Sequence, residues 1–133
     1  MQVDHIGYAV KQINKAIDYF MQLGFEFGCV VDDQDRNIRI AFGSDGNYRI
    51  ELIQPLDKKK VSPVDIVLKK VGSSPYHICY KSFDLEKDIE QLVSKQFKVI
   101  IPPTPAVAFN GRRVVFLANL HVGLIEIVEG EST

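Results

Sequence analysis

Two histidines and two glutamates of this chain combine residue types that bind metal ions in proteins. His5 and His77 lie far apart in sequence, and Glu51 and Glu126 are separated by almost the same interval. Imidazole nitrogen together with carboxylate oxygen suits a borderline divalent ion such as zinc, nickel, cobalt, manganese or iron. Both glutamates lie between apolar residues, and a carboxylate aimed into an apolar cavity must be paired, neutralised or bound to a metal. The four residues therefore predict a metal site.

An internal repeat explains the spacing of these residues. When the chain is aligned with itself so that His5 falls on His77, the segments around the two histidines match, and the apolar positions that follow stay in register. A slightly longer offset, which carries Glu51 onto Glu126, matches residues 50–52 with residues 125–127. Equivalent strand residues of a repeat lie on equivalent faces of a sheet. Two copies related by a pseudo-twofold axis would therefore direct all four side chains into one cavity.

More ordinary interpretations of these residues exist. A lone strand histidine is more often a packed core residue or a wet surface residue than a ligand, and a lone glutamate between isoleucines usually points to solvent. The recurrence of both residue types at matching repeat positions favours the metal site. A degenerate site that keeps the residues but holds no metal also stays open.

The apolar periodicity predicts the same βαβββ order of elements in each copy. In the first copy we expect strands at residues 3–10, 25–31, 38–42 and 48–54 and a helix at residues 13–23. In the second copy we expect strands at residues 76–82, 97–101, 113–118 and 122–128 and a helix at residues 85–95. Gly24 is placed to end the first helix in a left-handed turn, and Ser62 and Pro63 are typical of the start of a short linker helix. The fold class is therefore α+β.

Composition excludes several classes of protein. The chain has 133 residues, the size of one domain, and 16 basic against 17 acidic side chains. These charges nearly cancel, so the electrostatic field of the protein is weak, which argues against nucleic acid or an anionic membrane surface as a partner. Cys29 and Cys79 lack CxxC spacing and are typical of reduced thiols in the cytoplasm. A strand-like start at Met1 predicts no signal peptide, and no apolar run approaches the roughly 20 residues that span a bilayer.

These motifs resemble the vicinal oxygen chelate superfamily, the group of glyoxalases, bleomycin resistance proteins and dioxygenases. The resemblance covers nearly the whole chain, from residues 4–7 to residues 123–127. It implies one domain in which two βαβββ modules form an eight-stranded half-open barrel sheet around a metal site. Module 1 would cover about residues 1–56, a linker helix about residues 57–74 and module 2 about residues 75–130. It also implies a homodimer.

The resemblance further implies a ligand set and a reaction. His5, Glu51, His77 and Glu126 would hold one divalent ion (Co, Ni, Zn or Mn, the identity being open). Within the superfamily, residues 50–56, 76–80 and 123–126 are most similar to the methylmalonyl-CoA epimerases. The implied reaction is proton abstraction next to a metal-chelated carbonyl, with Glu126 as the base and Glu51 as its partner on the other face.

The substrate remains open between several classes. Returning the proton to the opposite face gives an epimerase, whereas returning it to a neighbouring carbon gives a lactoylglutathione lyase similar to glyoxalase I. The partner would be an acyl-CoA or a glutathione thioester, with Arg39 and Arg112 as candidate substrate-binding residues. A non-catalytic small-molecule binding protein on the same fold is the third alternative, although such a protein needs none of the four ligand-type residues. Dioxygenase chemistry fits less well, because its usual iron site has two histidines and one carboxylate.

Overall fold

The computed structural model describes residues 1–131. Contacts divide the chain into two compact units. The first unit consists of residues 5–76, and the second unit consists of residues 1–4 together with the chain from residue 77 onward. None of the helices within residues 1–131 is long and apolar enough to cross a membrane.

The described residues form nine strands and three α-helices in the order of a repeated module, which confirms the α+β class. In chain order these are β1 (Gln2–Ala9), α1 (Ile13–Gln22), β2 (Glu26–Phe27), β3 (Val31–Asp33), β4 (Ile38–Ser44), β5 (Arg49–Pro55), α2 (Asp65–Lys70), β6 (Ser74–Ser82), α3 (Leu85–Ser94), β7 (Lys98–Pro105), β8 (Arg113–Asn119) and β9 (Gly123–Glu129). A short 3-10 helix, Val107–Phe109, lies between β7 and β8.

In the first unit, the pairing of the first and last strands of the module creates two distinct faces. β5 pairs with β1 in parallel and with β4 antiparallel, and β4 also carries β2 and β3. One face packs on α1 through a buried apolar cluster of Val10, Ile13, Ala41, Ile50 and Leu52. Because strand side chains alternate, His5 and Glu51 belong to the opposite face.

The second unit repeats this arrangement. β9 pairs with β6 in parallel and with β8 antiparallel, and β8 pairs with β7. Its helix α3 covers a buried cluster of Leu85, Val115, Leu117, Ile125 and Ile127. By the same alternation, His77 and Glu126 belong to the face that α3 does not cover.

The two long helices α1 and α3 begin and end at positions related by the same offset as His5 and His77. After α1, the amide of Gly24 donates to the carbonyl of Met21 and the amide of Phe25 donates to the carbonyl of Phe20. This is the Schellman arrangement, and the predicted left-handed turn at Gly24 is confirmed by its φ of 98°. At the matching position after α3, Gln96 adopts the same left-handed region with a φ of 74°.

Three predicted boundaries are wrong. The strand expected at residues 25–31 is divided into β2 and β3. Phe27 pairs with Gly43 of β4 and Val31 pairs with Ile40, so the segment from Phe27 to Val31 has one residue more than the segment of β4 that it faces. Such an extra residue interrupts the ladder as a bulge. This division raises the strand count from eight to nine.

The other two differences also have local causes. β7 continues through the proline-rich residues 102–105. Among the strands of residues 1–131 it pairs only with β8, with two register shifts, and prolines are tolerated on such edge strands. The linker helix begins at Asp65 rather than at Ser62. The Asp65 carboxylate accepts hydrogen bonds from the Ser62 amide at 2.8 Å and the Ser62 hydroxyl at 2.6 Å.

Candidate functional site

A histidine and a glutamate meet in each unit at the same distance. The Nε2 atom of His5 lies 3.3 Å from Oε1 of Glu51, and Nε2 of His77 lies 3.3 Å from Oε1 of Glu126. The relative exposures of the four residues, in chain order, are 0%, 4%, 5% and 5%. A buried carboxylate needs a compensating proton or cation, and in each pair an imidazole nitrogen lies beside it.

Strand register produces both pairs in the same way. The parallel pairing of β1 and β5 sets Gly7 opposite Glu51, and that of β6 and β9 sets Cys79 opposite Glu126. His5 lies two residues before Gly7, and His77 lies two residues before Cys79. Each histidine therefore points to the same side of the sheet as its glutamate.

The distances suit a divalent ion. Two ligands that each lie about 2.1 Å from one ion are separated by roughly 3 Å at an octahedral angle and by about 3.4 Å at a tetrahedral angle. The observed separation of 3.3 Å in both pairs falls in this range. The donor atoms also match the ligands that zinc and neighbouring transition metals prefer. Each pair, His5 with Glu51 and His77 with Glu126, could therefore contribute ligands to a metal ion.

A phenylalanine accompanies each pair, and sequence reasoning missed both. The ring of Phe42 lies edge-on to His5 at a centroid distance of 5.2 Å, and the ring of Phe116 lies edge-on to His77 at 5.5 Å. Phe42 is directly opposite Glu51 in the β4–β5 ladder, and Phe116 is directly opposite Glu126 in the β8–β9 ladder. The spacing of the two phenylalanines in sequence is intermediate between the spacing of the histidines and that of the glutamates, and this was the signal that could have found them.

Phe42, the phenylalanine beside the first pair, also contacts an arginine. The guanidinium carbon of Arg49 lies 4.0 Å from the centroid of the Phe42 ring. At the offset that carries Glu51 onto Glu126, the position of Arg49 is taken by Leu124. The two copies therefore share their histidine, glutamate and phenylalanine but differ at this position.

Arg39, a predicted substrate-binding residue, lies on β4 in a surface ion pair. Strand alternation groups it with Ala41, which packs against α1, rather than with Phe42. Its guanidinium donates to both carboxylate oxygens of Asp32, at 2.8 Å and 3.3 Å. This hydrogen bonding lowers the pKa of Asp32 and raises that of Arg39. A role of Arg39 in binding substrate stays a prediction.

Arg112, the second predicted substrate-binding residue, connects two backbone segments of the second unit. Its Nε donates to the carbonyl of Phe109 at 3.1 Å, and its guanidinium also donates to the carbonyl of Glu129 at 3.0 Å. These bonds tie the 3-10 helix to the end of β9. A role of Arg112 in binding substrate also stays a prediction.

Comparison with protein families identifies the superfamily. The model of the glyoxalase/bleomycin resistance protein/dioxygenase superfamily matches residues 4–116. The chain belongs to this superfamily.

Two relatives are similar to the chain over nearly its whole length. The uncharacterized protein YqjC of Bacillus subtilis is 30% identical over 131 residues, covering 96% of this chain and 91% of that protein.

Methylmalonyl-CoA epimerases are also among the similar proteins. The mitochondrial enzyme of Dictyostelium discoideum is 27% identical over 132 residues, covering 96% of this chain and 78% of its own length. The crystal structure of the Mycobacterium tuberculosis enzyme has a TM-score of 0.84 at 25% identity, covering 98% of this chain and 89% of its own. A variant of the Streptomyces coelicolor enzyme, solved in complex with 2-nitronate-propionyl-CoA, has a TM-score of 0.81 at 25% identity and covers 99% of both chains. The predicted superfamily and fold are thereby confirmed.

Proposed function

We propose that this chain is a divalent-metal-dependent epimerase of acyl-CoA thioesters, similar to methylmalonyl-CoA epimerase. The observation that carries the proposal is the repeated buried His–Glu pair, with a distance of 3.3 Å in both units. The similarity to epimerases over nearly the full chain favours this activity within the superfamily.

In this proposal the two pairs serve one ion and the chain is a single domain. His5, Glu51, His77 and Glu126 would supply its four ligands, two from each unit. Solved single chains that match 98–99% of this chain support such an arrangement, because each match includes both units. The ion, when bound, would polarise a carbonyl and make the adjacent C–H more acidic. The candidate ions are Co, Ni, Zn and Mn.

The proton transfers are assigned to the two glutamates. Glu126 would take the proton from the carbon next to the thioester carbonyl, leaving the bonding electron pair on the substrate. Glu51, in its acid form, would return a proton to the opposite face, so that the configuration inverts without oxidation or reduction. A carboxylate has two oxygens, so one can contact the ion while the other exchanges the proton. Phe42 and Phe116 would limit the access of water to the histidines.

Metal content and proton exchange together test the proposal. We expect about one divalent ion per chain by elemental analysis, and exchange of the C2 proton of methylmalonyl-CoA for deuterium in heavy water. Glu126→Gln should slow this exchange at least about 100-fold, the contribution of a general base. Glu90→Gln, an exposed change on α3, is the matched control and should leave the exchange rate unaltered.

Other outcomes would select the alternatives. Turnover of a glutathione hemithioacetal without C2 exchange would indicate a lactoylglutathione lyase. Tight binding of small molecules without turnover of either substrate class would indicate a binding protein. A cytoplasmic location and a homodimer go with the proposal as predictions, and light scattering of the purified chain tests the second of them.

A further inference from the structure

A groove of the first unit is lined by the end of β1, the loop that follows it, α1 and the residue before β6. We call it the α1 groove; its lining residues are 8, 10–12, 15, 16, 19, 20 and 73. It encloses about 340 Å³, and small-molecule sites typically enclose roughly 300–1,000 Å³. All of its lining residues belong to residues 5–76, so one unit forms the whole groove.

The α1 groove lies on the opposite side of the sheet from the first His–Glu pair. Tyr8, which lines the groove, comes three residues after His5 on β1, so strand alternation gives the two side chains opposite faces. Tyr8 also packs against the buried cluster under α1, whereas Glu51 shares the face of His5. A ligand in this groove would therefore be separate from a metal ion held by His5 and Glu51.

Aromatic rings line the inner part of the α1 groove. The rings of Tyr8 and Phe20 meet edge-on at a centroid distance of 5.1 Å, and Phe20 lies edge-on to Phe25 at 5.6 Å. These contacts restrict both lining rings. Tyr19 also lines the groove, and its relative exposure is 74%. Large rings of this kind provide stacking surface for a planar ligand at a low cost in side-chain entropy.

Two lysines give the α1 groove a positive charge. Lys11 and Lys15 both line it, and neither has an ion-pair partner within residues 1–131. None of the lining residues is acidic. The amide of Lys11 donates to the hydroxyl of Ser73 at 3.3 Å, and this hydroxyl can still donate its own proton to a ligand. The groove thus presents cations and a hydrogen-bond donor without a competing carboxylate.

The repeat shows that these residues are not needed to build the module. At the offset that relates the two histidines, the positions of Lys11 and Tyr19 are taken by Phe83 and Gln91. The first turn of α3 carries two acidic residues, whereas the first turn of α1 carries none. The combination of two lysines with an exposed tyrosine is therefore particular to the first copy, which favours a role in binding rather than in folding.

We propose that the α1 groove binds a nucleoside monophosphate as a second ligand, separate from the thioester. The phosphate would contact the ammonium groups of Lys11 and Lys15, because lysine binds phosphate as a point charge. The base would stack on Tyr19 and the neighbouring rings, and such stacking accepts any base. The inference does not depend on the reaction proposed above, since the groove and the first His–Glu pair lie on opposite faces.

Calorimetry on the full chain tests the inference. Adenosine 5′-monophosphate should bind at one site per chain, and guanosine 5′-monophosphate should bind within about threefold of that affinity. Adenosine and inorganic phosphate should each bind at least about tenfold more weakly, because each keeps only one of the two kinds of contact. Adenosine or phosphate binding as tightly as the nucleotide would overturn the inference. Absence of nucleotide binding at millimolar concentration would overturn it as well.

Variants of exposed residues locate the binding. Lys15→Gln should weaken nucleotide binding about tenfold through the loss of a charge-assisted hydrogen bond. Tyr19→Ala should weaken it about tenfold through the loss of stacking, whereas Tyr19→Phe should preserve it. Lys87→Gln is the control, since Lys87 is exposed and occupies the position of Lys15 in the second copy. Equal effects of Lys15→Gln and Lys87→Gln would refute a site in the groove, because net charge alone would then explain the binding.

Two further titrations separate the α1 groove from the His–Glu residues. A nucleotide phosphate can also bind a metal ion, so the titration is repeated with a chelator, and the affinity should persist. Saturating propionyl-CoA should change the nucleotide affinity less than about twofold, as expected for independent sites. Loss of binding with the chelator, or displacement of the nucleotide by the thioester, would overturn the inference of a separate site.

Discussion

The equivalent turns after α1 and α3 provide a paired test of the repeat. Gln96 and Gly24 occupy the same left-handed position, with φ values of 74° and 98°. An L-residue pays about 1–2 kcal/mol in this region, whereas glycine loses about 0.4–1 kcal/mol more backbone entropy on folding. The difference favours glycine by about 1 kcal/mol. We therefore expect Gln96→Gly to raise the free energy of unfolding by about 1 kcal/mol and Gly24→Gln to lower it by a similar amount.

The contacts at both positions make these numbers interpretable. The turn at Gln96 is held by its backbone, because its amide donates to Val93 and its carbonyl accepts from the Asn119 side chain. No described atom lies within 4 Å of a Cβ built on Gly24, so the penalty there is conformational. Urea titration in the presence of a chelator measures the free energy without a contribution from bound metal. For a chain of this length, the matching thermal shift is about 3–5 °C.

A control at the neighbouring residue completes the test. Lys95 precedes Gln96 and has a φ of −107°, so glycine relieves no strain there. Lys95→Gly should lower the free energy of unfolding by about 0.5–1 kcal/mol through backbone entropy. Equal effects of glycine at Lys95 and Gln96, or a neutral Gly24→Gln, would refute the argument.

Further predictions concern the linker, the acid limit and the metal. Asn37 is buried and donates to the carbonyls of Asp57, Lys60 and Val61; Asn37→Ala should cost about 2–3 kcal/mol in urea titration, and an unchanged midpoint would contradict this. Hydrogen bonds from Arg113 lower the pKa of Glu129 from 4.5. The ionised Glu129 carboxylate therefore stabilises the folded protein above pH 4.5, and this stabilisation is lost as pH falls through the pKa of the folded state. Glu129→Gln should therefore flatten the stability profile below pH 4.5, and a profile parallel to wild type would oppose this. Removal of the proposed ion with a chelator should lower Tm, since a ligand at about 1,000 times its Kd adds about 4 kcal/mol to the free energy of unfolding. An identical shift of Tm in a variant that lacks both Glu51 and Glu126 would argue against the site.

Sequence alone predicted the two long helices and singled out the four histidines and glutamates, because both leave a periodic or repeated signal. The ends of the strands were harder to predict, because they depend on pairing with the neighbouring strand. The division between β2 and β3 follows from one extra residue relative to β4, and the continuation of β7 through its prolines follows from its edge position. Neither register can be read from one segment of sequence.

The aromatic and cationic neighbours of the site were missed for a different reason. Phe42 and Phe116 are residue types that fill most cores, so their types do not distinguish them from packing residues. Arg49 begins a strand after a polar turn, where an arginine is usually solvated. Only the ladder registers and the ring distances connect these residues with the histidines.

The parallel pairing of β1 with β5, and of β6 with β9, has a consequence for how the chain folds. Each His–Glu pair joins the first and last strands of its module, so nearly all of the module lies between His5 and Glu51, and likewise between His77 and Glu126. Contacts of such long sequence separation require the closure of a large loop, and they form after the local helices and hairpins. A chain arrested midway through folding would thus already contain hairpins such as β4–β5 and β8–β9 but would lack both pairs. The His–Glu contacts are therefore markers of a completed module, and they should be among the last native contacts to appear during refolding.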